Sequence, residues 1–88
     1  MRWAYSFDAR ALHELQKLDR QAQKDIIAYL DKRIATKADP RRYGKPLKAG
    51  LAGLWRYRVR DYRILCQIKD DVLLVLVVSV GHRKNVYE

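Results

Sequence analysis

A stretch of strict alternation in the second half of the chain constrains the fold more than any other feature. From Leu54 to Arg60, Trp55, Tyr57 and Val59 alternate with Arg56, Arg58 and Arg60. Successive side chains of a β-strand point to opposite faces. The pattern therefore predicts a strand that packs one face on a core and lines its other face with arginine.

Two more strands are predicted after it. Alternation resumes from Tyr62 to Ile68, and the run from Val72 to Val80 is apolar at almost every position, as expected of a strand covered on both faces. Arg60-Asp61 and Asp70-Asp71 suit tight turns between these strands. The second half of the chain is thus predicted to form a three-stranded meander.

The first of these turns also predicts a register. If Arg60-Asp61 is a two-residue loop, Val59 faces Tyr62, and Arg58 faces Arg63. A slip of one residue would mix arginines into the apolar face, so we favour this pairing. It sets two guanidinium groups opposite each other, an unfavourable arrangement that an anion bound between them would relieve.

The first part of the chain predicts one strand and two helices. Arg2 to Phe7 alternates between aromatic and other residues. Asp8 and Asp19 are suited to accept backbone N–H groups at helix N-termini, and each precedes apolar residues at helical spacing, up to Leu18 and up to Ile34 respectively. We therefore expect a helical hairpin, followed by an irregular loop from Lys37 to Gly53.

The 88 residues predict a single α+β domain spanning positions 1–88, because a chain this short cannot build two cores. The element order is β-α-α-β-β-β. We expect a small twisted, mainly antiparallel sheet with the helical hairpin packed on one face.

The charge is strongly positive and unevenly placed. The chain carries a net charge of +9, which favours a polyanionic partner such as nucleic acid, an acidic protein or an anionic membrane surface. Residues 41–63 contribute +7 of it, from eight basic residues and Asp61: Arg41, Arg42, Lys45, Lys48, Arg56, Arg58, Arg60 and Arg63.

The sequence argues against secretion and membrane insertion. The N-terminus has no apolar signal core, and the longest apolar run, Val72 to Val78, is far too short to cross a bilayer. The single cysteine, Cys66, excludes an internal disulfide and fits a reducing compartment. We expect a cytoplasmic protein with no membrane partner.

Motifs for metal, nucleotide and nucleophilic chemistry are absent from the sequence. His13 and His82 are far apart and lack a metal-binding motif, the glycines form no phosphate-binding loop, and Cys66 points to the predicted core. We therefore expect no metal and no cofactor. His82 is either a structural residue or a general base, and Tyr87 either packs the tail or stacks on a nucleobase.

Two motifs resemble a known family. They are Gly53-Leu-Trp-Arg-Tyr-Arg-Val-Arg-Asp-Tyr-Arg-Ile-Leu65 and Val78-Ser-Val-Gly-His-Arg-Lys-Asn-Val-Tyr87. Together they resemble the RelE branch of the RelE/ParE toxin family of type II toxin–antitoxin modules, over nearly the whole chain. The resemblance implies a RelE-like microbial RNase fold.

The resemblance also implies an activity and partners. Toxins of the RelE branch enter the ribosomal A site and cleave the mRNA there, without a metal, through attack of the 2′-OH on the adjacent phosphate. Cleavage inhibits translation. A cognate acidic antitoxin of the RelB type holds such a toxin inactive.

The resemblance assigns roles to individual residues. Arg63 and Arg83 match the essential arginines and Tyr87 the C-terminal tyrosine, whereas Arg56 and Arg58 stand where relatives have lysine. Because arginine is a poor proton acceptor, the general base is either His82 or Tyr87. The predicted catalytic residues are Arg58, Arg63, His82, Arg83 and Tyr87, and the predicted RNA-binding residues are Arg41, Arg42, Lys45, Lys48, Arg56, Arg60 and Lys84.

Two other functions are compatible with the sequence. The ParE branch of the family implies a poison of DNA gyrase without nuclease activity, although such relatives generally lack the combination of Arg63, Arg83 and Tyr87. The third possibility is a non-catalytic RNA-binding protein that uses the basic residues alone.

Overall fold

The computed structural model of the chain describes residues 1–48 and 53–82. Its helices are α1 (Ala9–Gln16) and α2 (Arg20–Tyr29), the second continuing into a π-helical turn over Leu30–Ile34. Its strands are β1 (Ala4–Phe7), β2 (Lys45–Pro46), β3 (Trp55–Val59), β4 (Tyr62–Lys69) and β5 (Leu74–His82). No helix in these two ranges is long and apolar enough to span a membrane.

The strands form one mixed sheet in the order β1-β5-β4-β3-β2. β1 pairs with β5 in parallel, and the other three pairings are antiparallel. The helical hairpin covers one face, so the predicted α+β class is confirmed. The parallel pairing is possible because the whole helical hairpin and the β3–β4 hairpin separate β1 from β5 along the chain.

The helix starts follow the predicted capping. Asp8 accepts a hydrogen bond from the backbone N–H of Ala11 at 2.8 Å, and Asp19 accepts one from Ala22 at 2.7 Å. Each carboxylate satisfies a backbone donor that the helix itself leaves without a partner. Both N-termini are therefore determined by residues adjacent to them in sequence.

The main core lies between the helices and the sheet. Apolar side chains from α1, α2, the π-helical turn and the meander meet there, and burial of this surface is the main force holding the layers together. Cys66, predicted to point inward, is fully buried among them. The buried members are Trp3, Ala11, Leu15, Ile26, Leu30, Ile34, Tyr57, Val59, Ile64, Cys66, Val75, Val77 and Val80.

The register of the first hairpin is the predicted one. Val59 pairs with Tyr62 and Arg58 with Arg63 across a two-residue turn. Tyr57, which belongs to the apolar set, is fully buried. The alternating pattern therefore determines both the faces and the pairing of β3 and β4.

Two predicted segments differ from the structure. The loop from Lys37 to Gly53 contains a 3₁₀ turn at Pro40–Arg42 and the additional strand β2, so the prediction of four strands was wrong; residues 49–52 lie outside the described ranges. A two-residue strand shows no detectable alternation. The predicted two-residue turn at Asp70-Asp71 was also wrong. The connection between β4 and β5 has four residues, a 3₁₀ turn over Asp70–Val72 followed by Leu73 with a φ of 50°.

Arg60 does not extend the arginine-lined face. It lies in the β3–β4 turn with a φ of 55°, and its guanidinium donates to Asp25 of α2 at 2.6 Å, on the helical side of the sheet. The left-handed backbone turns the side chain away from the strand direction. Arg60 thus ties the tip of the hairpin to α2.

This ion pair should make stability depend on acid pH. Hydrogen bonds from Arg60 and Gln21 lower the pKa of Asp25 below its ordinary value. Its stabilisation is therefore complete above the unfolded pKa of about 3.9 and is lost as the pH falls through the lower native value. In urea unfolding at a series of pH values, Asp25→Asn should lose part of the parent's decline in stability below about pH 4. An identical decline in both proteins would contradict the expectation.

Candidate nucleic-acid interface

Four basic side chains share the sheet face that points away from the helices. Residues directly opposite each other in an antiparallel pair lie on the same face. Arg56 pairs with Lys45 and Arg58 with Arg63, while the intervening Tyr57 points into the core. We call the set formed by Lys45, Arg56, Arg58 and Arg63 the basic face; Arg56 is its most buried member, with 9% of its surface exposed.

The centre of the basic face is the pair formed by Arg58 and Arg63. Arg58 is exposed and Arg63 is half-buried. On its other side Arg63 faces Gly81 of β5. Two like charges held opposite each other on a rigid sheet form a ready site for an anion, and guanidinium groups bind phosphate oxygens in bidentate fashion.

An irregularity in β5 brings Gly81 to this position. The β4–β5 register shifts between Leu65 and Cys66. Glu14 of α1 accepts hydrogen bonds there from the Ser79 hydroxyl at 3.2 Å and from the Val80 N–H at 3.0 Å. No local sequence signal identifies Glu14 as the acceptor of these hydrogen bonds, because its partners lie far along the chain.

A small apolar cluster borders the basic face. Leu47 and Leu65 are buried against each other, with Leu54 and Val78 packed around them. Next to it, a groove of about 760 Å³ runs between α1 and the C-terminal half of β5. The interface thus combines cations with an apolar border.

His82 lies on the opposite face of the sheet from Arg58 and Arg63. It pairs with Tyr62, whose side chain belongs to the helical side of the sheet, and the two rings meet edge to face with centroids 5.8 Å apart. Side chains of neighbouring positions in a strand alternate, so Gly81 faces Arg63 and His82 does not. The structure does not bring His82 together with the arginine pair.

The remaining predicted residues fall in several places. Arg41 makes a two-point ion pair with Asp70 at 2.9 and 2.7 Å, at the far end of β4 from Arg63, about 23 Å away along the strand. Arg42 lies against the ring of Tyr43, and Lys48 is exposed. Arg83, Lys84 and Tyr87 lie outside the described residues.

Other reactive chemistry has no support in the two described ranges. No group of three or more His, Cys, Asp or Glu side chains there could hold a metal ion. Burial raises the pKa of the Cys66 thiol, which keeps it in the unreactive form. Among the described residues, the basic face presents positioned cations.

Comparison with known proteins places the chain in a family. The family model described as ParE toxin of type II toxin-antitoxin system, parDE, matches residues 5–87. Toxin RelG of Mycobacterium tuberculosis is 30% identical over 87 residues, covering 99% of this chain and 98% of RelG. The mRNA interferase toxin RelE of Escherichia coli is 30% identical over 91 residues, covering 97% of this chain and 87% of RelE.

Solved structures agree with this assignment. The toxin–antitoxin complex RelBE2 of M. tuberculosis contains a chain that superimposes with a TM-score of 0.85 at 29% identity, covering 94% of this chain and 100% of that one. The isolated E. coli RelE toxin superimposes with a TM-score of 0.71 at 24% identity, over 91% and 83% of the two chains, and supports the fold. The chain therefore belongs to the RelE/ParE family of toxins of type II toxin–antitoxin systems.

Proposed function

We propose that this toxin is a ribosome-dependent mRNA endoribonuclease that cleaves mRNA in the A site and so inhibits translation. The observation that carries the proposal is the pairing of Arg58 with Arg63 on the sheet face that points away from α1 and α2. The name of the E. coli relative, an mRNA interferase, supports the same reaction class.

The reaction that fits this face is an internal phosphoryl transfer. The 2′-oxygen of the mRNA attacks the adjacent phosphorus, a P–O2′ bond forms and the P–O5′ bond breaks. The 2′-OH proton passes to a general base and the leaving 5′-oxygen takes up a proton, giving a 2′,3′-cyclic phosphate and a 5′-OH. Arg58 and Arg63 stabilise the charge that develops on the phosphoryl oxygens, so the step needs no metal.

We also assign roles to residues that follow β5 in the sequence. β5 ends at His82, one residue after the position opposite Arg63, and Arg83 follows directly in the sequence. We assign Arg83 as the third phosphate-stabilising cation and Tyr87 as the residue that exchanges the 2′-OH proton. Lys45 and Arg56 would hold the flanking phosphates, together with Lys48 and Lys84.

In this proposal the ribosome positions the mRNA on the basic face. It would align the 2′-oxygen, the phosphorus and the leaving oxygen, and would exclude water from the arginine pair. The direct test is translation of a reporter mRNA with purified toxin, with 5′ ends mapped by primer extension. We expect cuts within codons in the A site and none in the same mRNA without ribosomes. An intact mRNA on toxin-treated ribosomes would contradict the proposal.

Replacing the two candidate proton acceptors should give opposite results. We expect His82→Gln to cleave at close to the parental rate, because the imidazole lies on the helical side of the sheet. Tyr87→Phe keeps the ring but loses the hydroxyl, and should slow cleavage by about 10²-fold or more. Single-turnover cleavage on programmed ribosomes measures both. If His82→Gln cleaved much more slowly than the parent at an unchanged thermal unfolding midpoint, His82 would be a candidate general base again.

Poisoning of DNA gyrase is the second candidate, because the matching family model is that of a ParE toxin. The two functions differ in their target. A gyrase poison would inhibit supercoiling of plasmid DNA by purified gyrase and leave the mRNA intact. The nuclease would cleave the mRNA and leave supercoiling by gyrase unchanged.

The same face suits the antitoxin that we propose as the natural partner. The neighbouring structures from M. tuberculosis and E. coli are toxin–antitoxin complexes. An acidic antitoxin segment could pair its carboxylates with the basic face while apolar anchors pack on the cluster around Leu47 and Leu65. Such binding would cover Arg58 and Arg63 and inhibit the toxin.

A further inference from the structure

A pocket opens at the outer edge of β3. There β2 pairs with Trp55 and Arg56 of β3 and does not extend along Tyr57–Val59. The pocket has a volume of about 250 Å³. We call it the edge pocket, and its lining residues are Tyr29, Tyr43, Gly44, Lys45, Arg56 and Arg58.

Two tyrosine rings, those of Tyr29 and Tyr43, line the edge pocket, and guanidinium groups from outside its lining pack against them. The guanidinium carbon of Arg33 lies 5.1 Å from the ring centre of Tyr43 and 5.6 Å from that of Tyr29, and Arg42 lies 5.9 Å from the Tyr43 ring. These distances are those of cation–π contacts. Tyr29 is held in turn against the buried ring of Tyr57, with centroids 5.9 Å apart.

This platform is joined to the basic face. Arg58 lines the edge pocket and also forms the pair with Arg63. Lys45 and Arg56 belong to both surfaces, and the lining contains no acidic side chain among the described residues. A strand of RNA whose phosphate sits between Arg58 and Arg63 would therefore run directly past the two tyrosines.

We propose that the edge pocket is a base-stacking subsite that holds a nucleotide next to the scissile phosphate. Bases stack on aromatic rings and on guanidinium planes without regard to sequence, while lysine and arginine hold the neighbouring phosphates. An acidic peptide would use the cations but would gain nothing specific from the flat platform. The combination therefore favours RNA. This inference rests on the proposed nuclease function and extends it to a second contact.

Photocrosslinking on the unmodified protein tests the position. The probe is an mRNA bound to programmed ribosomes, with 2′-O-methyl groups in the A-site codon that prevent cleavage and one 4-thiouridine next to the target phosphate. We expect irradiation to attach it to the segment that contains Tyr43, as mapped by mass spectrometry of the digest. Crosslinks confined to other segments would overturn the inference.

Substitution tests the contribution to binding. Tyr43→Leu keeps apolar bulk but removes the ring, and should weaken binding of the same ribosome-bound mRNA by about 5- to 100-fold. Tyr43→Phe keeps the ring and should restore binding. Lys32→Ala removes one exposed charge outside the edge pocket and controls for a general loss of positive charge. Equal affinities for Tyr43→Leu and the parent would overturn the inference.

The outcomes separate this inference from the proposed function. If the parent cleaves mRNA on ribosomes but Tyr43→Leu binds and cleaves normally, the subsite is wrong and the nuclease stands. If the parent neither binds RNA nor cleaves it, the proposed function itself fails. If Tyr43→Leu retains RNA affinity but escapes neutralisation by the antitoxin, the edge pocket is a peptide site, and the inference is again overturned.

Discussion

Replacement of Arg63 by alanine should reduce mRNA cleavage on the ribosome by about 10²- to 10³-fold, the loss expected when one preorganised donor to a developing oxyanion is removed. The side chain lies on the basic face and outside the main core. Its loss also relieves the like-charge pairing with Arg58. The thermal unfolding midpoint should therefore stay close to that of the parent. Single-turnover cleavage and calorimetry measure the two effects separately.

Two variants control this experiment. Arg63→Lys keeps the charge but loses the planar two-point donor, and should recover only part of the rate. Lys24→Ala removes one exposed charge from α2, on the helical side of the sheet, and should cleave as the parent does. If Arg63→Ala remained fully active, Arg63 would have no catalytic role in this fold.

Gly44→Ala should cause the largest loss of stability. Gly44 has a φ of +75°, and a Cβ there would lie 2.3 Å from the backbone oxygen of Arg56 and 2.7 Å from the indole nitrogen of Trp55. A left-handed alanine costs about 1–2 kcal/mol, and forced overpacking adds about 1–3 kcal/mol. We expect the thermal midpoint to fall by about 10 °C or more.

The chain provides a matched comparison for this substitution. Gly53 also has a positive φ, of +93°, but a Cβ there would meet no atom within 4 Å. Gly53→Ala should therefore lose only the backbone contribution, about 1–2 kcal/mol. Equal losses in the two variants, measured by urea unfolding, would show that the close approach of Gly44 to Arg56 contributes nothing.

The sequence predicted the features that depend on local patterns. The caps at Asp8 and Asp19 and the register that pairs Arg58 with Arg63 all follow from residues close together in the chain. Helix capping and strand alternation act over one to four residues, so they can be recognised without knowledge of the fold. The most informative part of the candidate site was predictable for this reason.

The sequence could not predict which neighbours the other charged residues find. Arg41 and Arg60 belong to the same basic segment as Arg58, yet they pair with Asp70 and Asp25. Their partners lie 29 and 35 positions away along the chain. Ion pairs over such separations depend on how the helices and strands pack. The order of charged residues in the sequence does not predict that packing.

The local sequence by itself determined the four longer strands, the helix starts and the pairing of the two central arginines, because these depend on side-chain alternation and on short-range hydrogen bonds. Tertiary structure alone decided the face of His82 and the composition of the edge pocket. The shift in β5 that Glu14 stabilises sets the face of every residue after it. The edge pocket forms where α2, the 3₁₀ turn and β3 come together. Both depend on contacts between distant segments, which become possible only when the main core has brought the layers together.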